Sequence, residues 1–314
     1  MLRCTPKSLE YLKTYYMIVI IIESKYSEEK MISINLDEFQ GTIYDTCKTL
    51  NYFGISECEV RLVNGINIGL ISAENCLKIK EILSSFNIRV NVIASPIFKW
   101  CLLESSNTNC NMKKIDTYGI DVNISRLEKD KLIHNVLSNA KILGTNKIRI
   151  FSGVDCDVTT FLKSQEFKNL IEKNPDFEFL IENEITCSIK KMNDLFVAVE
   201  YINKYGYNNV KLLFDVANAT IADKSFNFNQ LYLIKEKIDY FHFKNYKDKN
   251  GSFDFVSLGE GDLDYKYIID FVQTNFSLCK MCVETDIWDP NMRQKEAVES
   301  LKFLIKNYQG CASE

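Results

Sequence analysis

Four short apolar runs in the C-terminal half of the chain each end in a side chain able to hold a divalent cation. They are FEFLIENE with Glu182, VKLLFDVANA with Asp215, YFHFKNY with His242 and KMCVETD with Glu284. Each run is continuous and rich in Leu, Ile, Val and Phe, the pattern of a strand buried on both faces. A carboxylate at the end of such a strand is costly unless it is paired, hydrogen-bonded or metal-bound. Four of them at the same ends of successive strands point to one site where parallel strands converge. A single (β/α)8 barrel, whose chemistry lies at the C-terminal ends of its strands, has this arrangement.

The rest of the chain keeps the same rhythm. From Met31, MISINL, CEVRLV, RVNVIAS and KIRIFSG read as strands one to four. Helices are predicted over about 37–54, 73–87, 125–143 and 158–173. Further helices are predicted over about 188–205, 229–238, 264–275 and 292–308. Eight strand–helix pairs in about 280 residues suit a barrel. A doubly wound sheet would not collect polar ends from strands five to eight in turn. No Pro/Gly/Ser-rich linker divides residues 31–310, so they read as one domain, with 311–314 as a tail. Residues 100–124 form a polar, Asn-rich excursion placed to overlie the site.

Residues 1–30 do not share the pattern and read as an extension outside the barrel. Their apolar stretch, Tyr15 to Ile22, is too short to span a bilayer. No small-residue cleavage site follows it. The net charge of −4, with acids and bases interspersed, argues against a nucleic-acid surface. Eleven scattered cysteines, an odd number, fit reduced thiols in a cytoplasmic protein better than a disulfide frame. Cys279 and Cys282 make the lone C-x-x-C, without a second pair to complete a zinc knuckle.

Glu182, Asp215, His242 and Glu284 offer three carboxylates and one imidazole. Such a set favours one Mn²⁺, Mg²⁺ or Co²⁺ ion, with Zn²⁺ also within its range. Taken singly, each carboxylate could instead be a helix N-cap or an ion-pair partner. Glu184, two residues beyond Glu182, is placed by strand alternation to face the same way. His134, the other histidine, sits mid-helix and reads as a structural or surface residue. Arg61, Lys99, Arg149 and Lys244 lie near strand ends and could pair with an anionic group. Arg61 and Arg149 could equally form interior ion pairs with Glu59 and other acids. In SLGEGD the glycines read as turn formers, with Asp262 capping the next helix. Trp100 and Trp288 follow strands three and eight, where aromatic rings could stack on a sugar.

The segments ECEVRLVNGINI, VIASPIFK, KIRIFSG, LIENE, LFDVANA, FHFKN, LGEGDLDY and VETDIWDP carry a resemblance over about residues 31–308. Together they resemble the xylose isomerase-like TIM-barrel superfamily of sugar phosphate isomerases and epimerases. The resemblance implies one divalent metal held by Glu182, Asp215, His242 and Glu284. It also implies that Glu182 and Glu284 act as the acid/base pair on either face of the substrate. Polarising a carbonyl and its neighbouring hydroxyl acidifies the intervening C–H, and a carboxylate on each face can take and return the proton.

Two positions depart from the ketose 3-epimerases of that superfamily. Asn218 stands where a His follows the metal Asp, and Asp248 stands where an Arg follows the metal His. The first places Asn218 among the candidate substrate contacts, and both weigh against a free ketohexose. Two histidines cannot build the multi-histidine zinc site of the related abasic-site nucleases. The expectation is therefore a metal-dependent isomerase or epimerase of a small sugar or sugar phosphate, with Lys244, Arg61, Lys99, Arg149 and Asn218 near the substrate. An inosose-type dehydratase or related lyase begins with the same proton abstraction, and a non-catalytic barrel is the alternative from another class. No membrane or nucleic-acid partner is expected, and the outer helices are compatible with a homo-oligomer.

Overall fold

The computed structural model describes residues 31–102, 118–154 and 156–308. The predicted extension over 1–30, the tail over 311–314 and most of the Asn-rich excursion lie outside the described residues. Ile32–Tyr308 form one compact unit.

Eight parallel strands make the sheet: β1 (Ile32–Ile34), β2 (Glu57–Val60), β3 (Arg89–Ala94), β4 (Lys147–Ile150), β5 (Glu178–Glu182), β6 (Val210–Asp215), β7 (Ile238–Phe243) and β8 (Lys280–Val283). Their spatial order is β1-β8-β7-β6-β5-β4-β3-β2. A parallel bridge between Asn35 and Glu59 brings the two ends of the sheet together. The result is a nearly closed barrel. Inside it, Val92, Leu180, Leu213, Tyr240 and Cys282 form a buried layer. These residues alternate along their strands with outward-facing ones, as barrel pleating requires.

Helices ring the barrel: α1 (Ile43–Tyr52), α2 (Ala73–Ser85), α3 (Arg126–Leu143), α4 (Val158–Lys163), α5 (Gln165–Lys173), α6 (Met192–Tyr205), α7 (Val216–Ala222), α8 (Tyr265–Asn275) and α9 (Pro290–Asn307). Phe228–Lys237 is a 3₁₀ helix and fills the predicted helical slot after α7. Local chemistry sets the boundaries. The first helix starts at Ile43 rather than Asp37 because Thr42 and Asp45 form a reciprocal capping box. The predicted helix over 158–173 is two helices. Ser164 has extended backbone and caps α5 through its side chain, which accepts from Phe167 N. VANA, read as the end of a strand, begins α7, because Asp215 caps it by accepting from Asn218 N.

A hairpin of Asn245–Lys249 and Ser252–Val256 follows β7. Asn250 and Gly251 turn it with φ of 57° and 90°, the signature of a tight Asn-Gly hairpin turn. Among the described residues, no helix is long and apolar enough to cross a membrane.

Candidate metal centre

Strand register gathers the four predicted ligands. Asp215 lies opposite His242 across β6 and β7, and His242 lies opposite Cys282 across β7 and β8. Glu284, two residues beyond Cys282, faces the same interior. Glu182 ends β5 one strand away from Asp215. One ligand atom from each of Glu182, Asp215, His242 and Glu284 lies within 4.8 Å of the others. All four are buried, above the apolar layer.

His242 is the hub. Its Nδ1 is 2.9 Å from Glu182 Oε1 and 3.0 Å from Glu284 Oε2. Its Nε2 is 2.9 Å from Glu59 Oε2. Each carboxylate also faces a cation. Arg149 Nη1 donates to Glu182 Oε2 at 2.7 Å, and Arg61 Nη1 donates to Glu284 Oε1 at 2.6 Å. Lys244 Nζ lies 3.1 Å from Asp215 Oδ2 and 3.2 Å from Asp286 Oδ2.

These pairings fix the charge states. Burial pushes the Glu182 carboxyl up, but Arg149 and His242 overrule it and hold the group down at about 2. Burial opposes ionisation of Glu284 too, and His242 and Arg61 keep it well below the usual carboxylate range. Burial alone would lower His242, yet Glu284, Glu59 and Glu182 hold it well above the ordinary imidazole value. For Asp215 burial wins over Lys244, and its carboxyl is pushed up to about 7.

The donor set fits a divalent cation. Three carboxylates and one imidazole nitrogen suit Mg²⁺, Mn²⁺ or Co²⁺. Asp215 uses Oδ1 to cap α7, while Oδ2 is buried without a hydrogen bond despite the nearby Lys244. A buried carboxylate oxygen in that state calls for a further partner. Glu59 bonded to the far ring nitrogen supplies the carboxylate–histidine arrangement that orients a metal-binding imidazole.

The remaining candidates divide. Arg61 and Glu59 both face the interior, as their spacing predicts. Arg61 pairs with Asp37, Glu38 and Glu284 rather than with Glu59. Lys99 Nζ is 3.5 Å from Glu184 Oε1. The Asn218 amide donates to Asn183 O and to Glu184 Oε2, so Asn218 supports the site's wall. Asp262 does not cap α8; Asp264 does, while Asp262 accepts from Asp248 N. Gly259 and Gly261 serve close packing: a Cβ on Gly261 would lie 2.2 Å from the Asn245 side chain. Trp100 is fully buried, whereas Trp288 is exposed and borders a cavity of about 240 Å³ with Asp37, Arg61, Tyr118, Asp286 and Arg293. His134 is exposed on α3.

Two features escaped the sequence reading. Tyr118, within the Asn-rich excursion, lies against Arg61, Lys99 and Arg149 at 4.9, 5.0 and 5.5 Å from its ring centre. Nothing in its local sequence marks it. Phe98 adopts φ 65° immediately before Lys99, a costly conformation for a bulky residue. Its fully buried ring packs against Trp100 and Phe161, and its carbonyl accepts from Gly153 N.

The xylose isomerase-like TIM barrel model matches residues 59–307, and the chain belongs to that family. No curated protein sequence matches it. Among solved structures it is similar to the probable 3-DHS dehydratase AsbF of Bacillus anthracis, with 14% identity and a TM-score of 0.61 over 85% of this chain and 97% of that one. It is similar to D-allulose 3-epimerase from Methylomonas sp. in complex with D-allulose, with 11% identity, a TM-score of 0.62 and coverage of 88% and 96%. A xylose isomerase-like TIM barrel protein from Mycobacterium smegmatis in complex with magnesium shares 11% identity with a TM-score of 0.56 and coverage of 88% and 95%. At these identities the likeness is one of fold.

Proposed function

We propose that this protein is a divalent-metal-dependent isomerase or epimerase acting on a small sugar or sugar phosphate. The observation that carries the reading is the convergence of Glu182, Asp215, His242 and Glu284, with Asp215 Oδ2 buried beside Lys244 but accepting no hydrogen bond. Mn²⁺, Mg²⁺ or Co²⁺ suits the donor set best, and Zn²⁺ is accommodated by it. The bound ion supplies a Lewis acid for a carbonyl and its neighbouring hydroxyl.

The chain's own residues then divide the work. Glu182 and Glu284 hold the ion and carry the proton, one removing it from carbon and the other returning it. Asp215 and His242 complete the ligand set, and Glu59 fixes the imidazole ring. Lys244, Arg61, Lys99 and Arg149 orient the substrate, and Asn218 contributes through Glu184. The magnesium in a similar barrel is consistent with this reading. Cys47, Cys58, Cys76, Cys187, Cys279 and Cys282 are buried thiols, which fits a reducing, cytoplasmic setting.

A dehydratase is the second reading, favoured by one feature. Lys244 Nζ stands 3.9 Å from Glu284 Oε2, placing a proton donor beside a proposed base, as loss of a hydroxyl requires. Elemental analysis tests the shared part of both readings. About one equivalent of metal, or of Mn²⁺ after titration, is expected in the wild type and none in His242→Ala. Equal content in both proteins, or none in either, refutes the centre. Product analysis on ketoses and inososes separates isomerase from dehydratase.

A further inference from the structure

We infer that the substrate carries an oxyanion, a carboxylate or a phosphoryl group, and that this group binds the Nε–Nη2 edge of Arg149 with Lys99 as a second cation. The inference rests on the metal-centre reading and adds a substrate class to it.

The four cations around the centre are not equivalent. Arg61 is bound by three acids, Asp37, Glu38 and Glu284. Lys244 lies between Asp215 and Asp286. Arg149 is fully buried, yet gives only Nη1 to a partner, Glu182. Its Nε and Nη2 are buried and have no hydrogen-bond partner. Those two nitrogens lie on one edge of the guanidinium, and their N–H bonds run parallel. Their spacing matches the two oxygens of a carboxylate or phosphoryl group.

Two unpaired donors on a buried cation are costly to keep. A sugar hydroxyl offers one oxygen to a fork built for two. Lys99 adds a second positive charge close by. It stacks on Phe151 at 4.5 Å, and Arg149 stacks on the same ring at 4.3 Å. Its sole ion-pair partner among the described residues is Glu184, at 3.5 Å. The fork therefore sets the anionic end of the substrate beside Glu182, on the β4 side of the centre.

The test uses the full chain loaded with Mn²⁺, its metal content measured, and titration calorimetry with D-gluconate, inorganic phosphate and D-glucose. At least one oxyanion is expected to bind tenfold or more tightly than D-glucose. Arg149→Lys, which keeps the charge beside Glu182 but loses the fork, and Lys99→Met are each expected to weaken that binding about tenfold or more, with Mn²⁺ content unchanged. If Arg149→Lys does not fold, Lys99→Met decides, because Lys99 forms no ion pair with a proposed ligand. Oxyanion binding that is no tighter than that of D-glucose overturns the inference. So does binding that survives both substitutions, which would place the anion on the metal. Failure to take up Mn²⁺ refutes the metal centre instead, and anion binding that still depends on Arg149 and Lys99 would then keep the oxyanion site without it. Preference for gluconate or phosphate identifies the group.

Discussion

Metal uptake should release protons, and the number follows from the contacts of His242. Its Nδ1 lies 2.9 Å from Glu182 and 3.0 Å from Glu284, and its Nε2 lies 2.9 Å from Glu59. Burial alone would favour the neutral ring, but Glu284, Glu59 and Glu182 hold it well above its ordinary value. Both nitrogens therefore carry protons at neutral pH, and Nδ1 can bind a cation only after losing its own. Asp215, pushed up to about 7 by burial against the pull of Lys244, contributes a second proton at lower pH.

Each proton released makes affinity rise tenfold per pH unit, about 1.36 kcal/mol, while the group is protonated in the metal-free state. Between pH 6 and 8 the affinity for Mn²⁺ should thus rise roughly 100- to 1,000-fold, about 2.7–4.1 kcal/mol. The sign is opposite for the metal-free fold. A histidine with a raised folded pKa contributes stability that is complete below its unfolded value and is lost as pH rises through the folded one. Calorimetry in two buffers of different ionisation enthalpy counts the protons: about two at pH 6, falling toward one at pH 8. Glu59→Gln removes one of the three charges and should reduce the release at pH 8. Affinity that does not change with pH, with no proton released, would show that His242 is neutral beforehand or does not bind the ion.

Three further outcomes follow from packing and pairing. Arg61→Met strips Asp37, Glu38 and Glu284 of their shared cation and should cost about 3–5 kcal/mol in urea unfolding, with Arg61→Lys recovering part; a loss below about 1 kcal/mol would mean the pairs are dispensable. Gly261→Ala sets a Cβ 2.2 Å from the Asn245 side chain, which holds Leu258 O and Leu263 O, and should cost about 1–3 kcal/mol by thermal melting. Asp264→Ala should lose about 1 kcal/mol as the cap of α8, and an equal loss on removing Asp262 alone would argue against assigning the cap to Asp264.

The barrel and its four-residue centre were legible because buried parallel strands are continuous apolar runs, and the residues that end them stand out. Glu182, Asp215, His242 and Glu284 are each the first ionisable residue after such a run's apolar core. What stayed hidden depends on partners distant in sequence. Glu59 could be placed inside the barrel by alternation, but its bond to His242 spans 183 residues. Arg149 was a candidate among four, and only its two buried nitrogens without a hydrogen-bond partner set it apart. Tyr118 lies in a segment without periodicity. Other misses were local and readable: Asn250–Gly251 is a hairpin turn signal, and Ser164 is an N-cap that ends one helix by starting another.

The joint between β1 and β2 has a consequence of its own. Elsewhere neighbouring strands of the barrel are joined by backbone ladders, but here one bridge, Asn35 to Glu59, completes the circle. Side chains do much of the remaining stitching: Arg61 reaches back to Asp37 and Glu38, and Ser33 Oγ donates to Glu57 O. The same residues grip the centre, Glu59 through His242 and Arg61 through Glu284. The weakest seam of the cylinder is thus fastened to a fully buried ionisable group. A cation that draws Glu284 and His242 together tightens a clasp at that seam. Amide exchange along Ile32–Ile34 and Glu57–Val60, far from any solvent-exposed ligand, becomes a gauge of whether the centre is filled.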